Sequence, residues 1–271
     1  MPAFARSAAL LAACLLLGAG SARAQGADGE FSERRSSHFI LRQDVDLDRY
    51  HGTGGALDFE RAVLAILEQG HDTLDSELGV RAPGWLEVHV WDPGLFDQRF
   101  AGLFRFPAAG FYGGTIHVRG AALVTNPLRG TLHHEFVHAS LDAAAPSLVL
   151  PAWLNEGLAE WFESRMAGAR GHLNAQGWAA LQQAVRGGTL PSIAMLSSPS
   201  LGHLDPATAG LAYVYSHGLI DHVARRRGGD VLRRLVRELV RTRDLRRAFR
   251  RAAKGTPEEF ETSFRRELGG R

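Results

Sequence analysis

The sequence predicts an α+β fold, with its strands early and its helices late. Three observations carry this. Short apolar stretches of strand character stop before residue 120, helical spacing runs almost unbroken from Leu128 onward, and no Pro/Gly/Ser-rich linker divides the 271 residues. With 45% hydrophobic and 22% charged residues and a mean hydropathy of −0.12, the chain is neither disordered, collagenous nor a multispan membrane protein.

The N-terminus reads as a secretory signal peptide. Arg6 precedes an apolar run over residues 8–18, too short to span a bilayer core of ~30 Å, and Ser21-Ala22-Arg23-Ala24 places small residues ahead of a cleavage after Ala24. The expected mature chain is therefore 25–271, exported to a periplasmic or extracellular space. Leu11-Ala12-Ala13-Cys14 offers a second reading, a lipid anchor on Cys14, which is less favoured because the apolar run continues through Leu15-Leu16-Leu17. Cys14 is the single cysteine, so the mature chain carries no disulfide.

Beyond the leader, Ser37-His38-Phe39-Ile40-Leu41-Arg42 reads as a strand. Residues 57–78 repeat apolar positions at i, i+3 and i+4 and read as a helix. Leu86-Glu87-Val88-His89-Val90-Trp91 alternates like a half-buried strand, and residues 111–118 read as another, bent at Gly113-Gly114. Helices then fit 130–142, 152–166, 174–186, 207–227, 230–242 and 257–268. The last has the clearest start, with Thr256 as cap, Pro257 in the first turn and Glu259 closing a capping box. The chain thus divides into a sheet part over 25–143 and a helical part over 144–271.

Charge is unevenly spread. After cleavage, 29 Lys/Arg balance 29 Asp/Glu, yet residues 225–271 alone carry +9. Arg233, Arg234, Arg237 and Arg241 interleave with Leu232, Leu235, Val236 and Leu239 at helical spacing, which reads first as the solvated face of packed helices. Contact of these helices with anionic lipid is the less favoured alternative. No GxGxxG or P-loop pattern points to a nucleotide, and no nucleic-acid partner is expected.

The stretch that carries chemistry is His134-Glu135-Phe136-Val137-His138, an H-E-x-x-H motif. Residues four apart on a helix lie one above the other, so His134 and His138 can address one zinc ion while Glu135 borders it. A catalytic zinc needs a third protein ligand. Asp142 is too far along the helix, since eight residues rise ~12 Å. The extended form with glycine at 141 and histidine at 144 is absent, for Leu141 and Ala144 stand there. Glu156, 18 residues after His138 on a separate helix that can return antiparallel, remains.

His134 to His138, followed by Trp153-Leu154-Asn155-Glu156-Gly157-Leu158-Ala159, resembles the gluzincin metallopeptidases, in particular the peptidase MA-like domain, with aminopeptidase N and thermolysin more distant. Ala109-Gly110-Phe111-Tyr112-Gly113-Gly114-Thr115-Ile116 is similar to the strand before the zinc helix, and residues 213–228 to a tyrosine-bearing helix, so the likeness covers roughly 36–268. The resemblance implies a zincin-like fold with one zinc ion per chain. His134, His138 and Glu156 would be its ligands, with Glu135 as general base and a tyrosine as oxyanion donor. Tyr213 is the first choice for that tyrosine, from its distance to Gly228; Tyr215 follows closely, and His217 is third. Glu160, one turn beyond Glu156, is expected to orient a ligand histidine or to be a plain surface carboxylate. His133 faces away from His134 and reads as an ordinary partly buried histidine, and Trp153 and Trp161 as core. The remaining histidines, among them His38, His71, His89, His172 and His222, show no pairing with another ligand-type residue.

The resemblance to aminopeptidases would imply an acidic residue in the strand before the zinc helix to hold a substrate's free amine, and residues 109–116 hold none, so the expectation is an endopeptidase acting on peptide or protein, or an unusual substrate. Two rivals are a catalytically inactive binding protein of the same fold and a lipid-associated envelope component.

Overall fold

The computed structural model describes residues 29–47, 55–228 and 230–270. The signal peptide expected over residues 1–24, with Cys14, lies outside the described residues.

The first half is a five-stranded mixed sheet: β1 (Ser32–Arg35), β2 (Phe39–Gln43), β3 (Leu86–Trp91), β4 (Gly110–Tyr112) and β5 (Ile116–Arg119), in the order β1-β2-β3-β5-β4. The central strands β2, β3 and β5 are parallel, with Leu41 beside Val88 and Val88 beside Ile116, while both outer strands run antiparallel. Parallel neighbours need a crossover. Between β2 and β3 it is supplied by α1 (Gly55–Leu78), whose Val63, Leu67 and Leu74 are buried with Phe39, Leu41, Val88, Val90, Ile116 and Val118. The opposite face carries aromatic rings instead: His89 pairs in register with His117, and Trp91, Phe100 and Phe111 pack around His117. Trp91 Nε1 donates to His117 Nδ1 at 3.1 Å. Outer strand β1 is charged, Arg34 meeting Glu60, and Arg35 and Arg42 meeting Glu33.

The stretch read as one bent strand over 111–118 is a hairpin, because residues 113–115 reverse the chain and β4 pairs antiparallel with β5. Two short elements escaped the reading: β1, which alternates no apolar residues, and α2 (Pro93–Arg99), whose seven residues are too few for periodicity. Asp92 caps α2 by accepting from Gly94 N at 2.8 Å.

The α+β class read from the sequence is the observed one, for nearly everything after β5 is helical. α3 (Asn126–Ala144) starts at Thr125, whose hydroxyl accepts from Leu128 N, and lies under the sheet with Phe136 against Phe39. α4 (Ala152–Ser164) runs into a single π-turn (Arg165–Ala169), followed by α5 (Ala175–Arg186) and the long α6 (Pro206–Arg227). Then come α7 (Val231–Thr242), α8 (Leu245–Ala253) and α9 (Pro257–Leu268), the last opened by the expected Thr256–Glu259 capping box. α8 is a separate helix: Arg243 turns left-handed at φ 54° and Asp244 begins a new cap. α6 is the centre of this half, packed by α4, α5, α7 and α9, and α1 docks on α7, so one core serves both halves.

Several histidines prove to be paired, contrary to the expectation. His38 Nδ1 lies 2.6 Å from Glu68, His172 Nδ1 2.9 Å from Asp221, and His222 Nδ1 2.6 Å from Glu267. The partners lie 30, 49 and 45 residues apart, beyond any local spacing rule.

Candidate metal centre

The H-E-x-x-H segment sits in the middle of α3, held by burial on nearly every side: Leu132, Phe136, Val137 and Ala139 are fully buried. His133 turns away from the cleft, completely buried rather than partly so, with Nε2 on Ile66 O at 3.2 Å. Burial, the larger effect, keeps its ring neutral, its pKa pushed down to about 4.

Glu156 is delivered by α4, which crosses α3 and lies against α6. The approach to α6 is so close that a Cβ on Gly157 would stand 2.6 Å from Ser216 O. Glycine at 157 therefore sets how deeply α4 sits, and with it the position of its neighbour Glu156. On the other side, Gly110 of β4 passes over α3 where a Cβ would meet Thr131 Cγ2 at 2.7 Å and Glu135 Cγ at 3.1 Å.

The three side chains converge. His134 Nε2 is 3.1 Å and His138 Nε2 3.3 Å from the same Oε2 of Glu156, and all three ligand atoms lie within 4.8 Å of one another. Four ligands arranged tetrahedrally around zinc at ~2.0–2.1 Å stand ~3.3 Å apart, which the two distances from Glu156 match. The donor chemistry agrees: two imidazole nitrogens and one carboxylate oxygen, with the remaining side facing an open cavity.

Electrostatics follow from crowding these groups under cover. Burial works against charge on both imidazoles, yet the facing carboxylates outweigh it and raise the pKa of His134 and His138. Burial alone would lift Glu156, but His138 and His134 hold its carboxyl far below the usual range. A metal ion bound here would take the place of the protons on these imidazoles, which would remain as its ligands.

Around this core lies a second layer of carboxylates. His134 Nδ1 is 3.7 Å from Glu160 and 3.5 Å from Glu163. Burial lifts Glu160 to about 7, against the pull of His134 and with Glu163 adding to the rise. Glu163 was missed in the sequence, although it lies two helical turns beyond Glu156 on the same face of α4. His138 Nδ1, by contrast, is buried without a hydrogen-bond partner among the described residues.

Glu135 is 6% exposed and makes no hydrogen bond among the described residues. Its pKa is raised by burial, against the pull of His134 and His138. It stands on the wall between two cavities, one of 510 Å³ and one of 430 Å³, as do His134 and Tyr213. The larger is lined on its apolar side by Leu103, Phe104, Phe111 and Val149, and on its polar side by Asp142 and Asn155. Asp142 accepts from Tyr112 OH at 2.8 Å at that cavity, outside the ligand set.

The tyrosines separate sharply. Tyr213 places its ring 6.2 Å from that of His134, and its hydroxyl forms no hydrogen bond among the described residues. Burial first, then Glu156 and Glu135, raise its pKa, so the phenol keeps its proton. Tyr215 is not brought to the site. It is fully buried on the far side of α6, donating to Glu261 at 2.7 Å beneath Arg265. His217 is not brought there either, its Nε2 lying 3.0 Å from Gly171 O.

Comparison with known proteins adds no assignment: no family model matches the chain, and no curated protein matches it.

Proposed function

We propose that the protein is an exported, zinc-dependent peptide-bond hydrolase acting as an endopeptidase. One observation carries the reading: two imidazoles and a carboxylate meet at zinc-ligand spacing in an open cleft, beside a buried glutamate that has no hydrogen-bond partner among the described residues.

Bound by His134, His138 and Glu156, zinc supplies a Lewis acid that lowers the pKa of water and polarises a carbonyl. The chain's own groups then have distinct tasks. Glu135, its proton affinity raised by burial, takes a proton from the attacking water and passes it to the leaving amine. Tyr213, still protonated at neutral pH, donates a hydrogen bond to the oxygen that gains charge. Glu160 and Glu163 hold the ring of His134 in its orientation. β4 is an edge strand beside the cleft, and its outer backbone edge suits an extended peptide laid across Glu135. No acidic side chain lies on β4 to hold a free amine, which supports internal cleavage.

The test is metal content and peptide cleavage measured on the same preparations. Wild type is expected to hold about one zinc per chain and to cleave internally quenched peptides. Glu156→Ala is expected to lose the metal, and Glu135→Gln to keep it while cleavage drops about 10²–10⁴-fold. A folded wild type that takes up no zinc, or a Glu135→Gln protein as active as wild type, would overturn the reading.

A further inference from the structure

The hairpin of α7 and α8, residues 231–254, holds ten Arg or Lys against two acids, Glu238 and Asp244, a net charge of +8 in 24 residues. Residues 25–271 are neutral in sum, so the remainder of that span carries −8. The apolar faces of both helices are spent inside the protein, where Leu232, Leu235, Leu239 and Phe249 are buried. What they present outward is cationic.

Part of that charge is satisfied locally. Arg233 and Arg234 lie against Asp230, Arg241 and Arg251 against Glu238, and Arg246 against Glu258. Arg243, Arg247, Arg250 and Lys254 differ. All four are exposed, and their side chains have no ion pair or hydrogen bond among the described residues. Arg247 and Arg250 share a face of α8 at i, i+3, with Arg243 and Lys254 at its two ends. The end positions are left-handed, at φ 54° and 55°, where glycine is the favoured residue. The helix dipole favours cations at C-termini, but Arg247 stands in the first turn of α8, where the dipole opposes it. Intramolecular stability does not account for this set.

We propose that this face docks on an anionic lipid bilayer. A flat surface touches one side of the molecule, so the −8 elsewhere points into water instead of against the partner. The contact is electrostatic and peripheral, since no helix among the described residues is long and apolar enough to cross a membrane. Guanidinium groups match lipid phosphates in two-pronged hydrogen bonds. A single-stranded nucleic acid fits less well, because no large exposed hydrophobic side chain lies on the hairpin to stack a base; Trp85, Leu103, Leu123, Val149 and Met195 all lie elsewhere. The proposal is independent of any hydrolase activity.

The experiment is co-sedimentation of the full chain with vesicles of phosphatidylcholine, with and without about one-third phosphatidylglycerol. Binding is expected to the anionic vesicles alone at about 50 mM salt, and to vanish by about 500 mM as the Debye length shrinks. Arg247→Gln with Arg250→Gln is expected to weaken partition about 30-fold, at about one kcal/mol per cation. The control, Arg170→Gln with Arg186→Gln, removes the same charge from exposed positions elsewhere and is expected to change it less than about 3-fold. Equal losses in the two pairs, no partition at low salt, or tighter binding to a short DNA duplex than to anionic vesicles would each overturn it. Unchanged thermal unfolding of both variants confirms that the comparison is between folded proteins.

Discussion

Tyr213 and Tyr215 are two residues apart on α6, hence about 200° apart around it, and the fold uses that difference. One ring lies near His134 and its hydroxyl has no hydrogen bond among the described residues; the other hydroxyl is tied to Glu261 and its ring is covered by Arg265. Removing each oxygen should therefore have opposite signatures. Tyr213→Phe is expected to lower kcat about 10²–10³-fold with metal content and unfolding midpoint unchanged. Tyr215→Phe is expected to leave kcat within a few-fold while costing about 1–3 kcal/mol of stability, because Glu261 loses a buried donor. Steady-state kinetics and denaturant unfolding of the pair separate the two roles. The sequence ranked these tyrosines only by resemblance. Their facing depends on the rotation of α6 against α4, and no spacing along one helix encodes that angle.

At the scale of elements, the α4–α6 contact decides where Glu156 stands. Gly157→Ala is expected to cost about 1–3 kcal/mol by driving a Cβ into the Ser216 carbonyl, and to lower zinc content. Gly210→Ala on α6 is its counterpart: nothing lies within 4 Å of the added carbon, so helix propensity should stabilise by up to about 1 kcal/mol. Denaturant midpoints and metal content of the two variants check this. Elements with long periodic stretches or strong caps were legible in the sequence, α1 from its apolar spacing and α9 from Thr256, Pro257 and Glu259. Short ones were not. β1 is all polar or charged, and α8 follows a break that turns on one left-handed residue, Arg243. For the site, His134, Glu135, His138 and Glu156 were legible because two motifs with fixed internal spacing carry them. Glu163 became visible only once α3 and α4 were laid side by side, and the carboxylate partners of His38, His172 and His222 only once distant helices and strands met.

For the whole molecule, a half-buried and a buried histidine, His117 and His71, make stability depend on acid. Burial, followed by the neighbouring His89, pushes His117 down to about 4, and burial with His38 lowers His71. The unfolded chain titrates near 6.5 and so takes up these protons first. Stability from this source is complete above about pH 6.5, is lost as pH falls toward about 4, and levels off below it. His117→Gln, whose side-chain oxygen can still accept from Trp91, should flatten the dependence of the urea midpoint between pH 6.5 and 4; an unchanged slope would assign that loss to other groups. A further consequence lies in the outermost strand. β1 presents Glu33, Arg34 and Arg35 at one end of the sheet, each already matched to a charge within the same molecule. A second chain adding its own strand there would have to bury or break those ion pairs, so fibril-like growth is blocked at that end. The opposite outer strand, β4, has no further strand paired to it among the described residues and lines the cleft beside α3, so a strand added there would have to enter that cleft. The two outer edges of the sheet are thus guarded by different means, matched charges on β1 and the neighbouring α3 at β4.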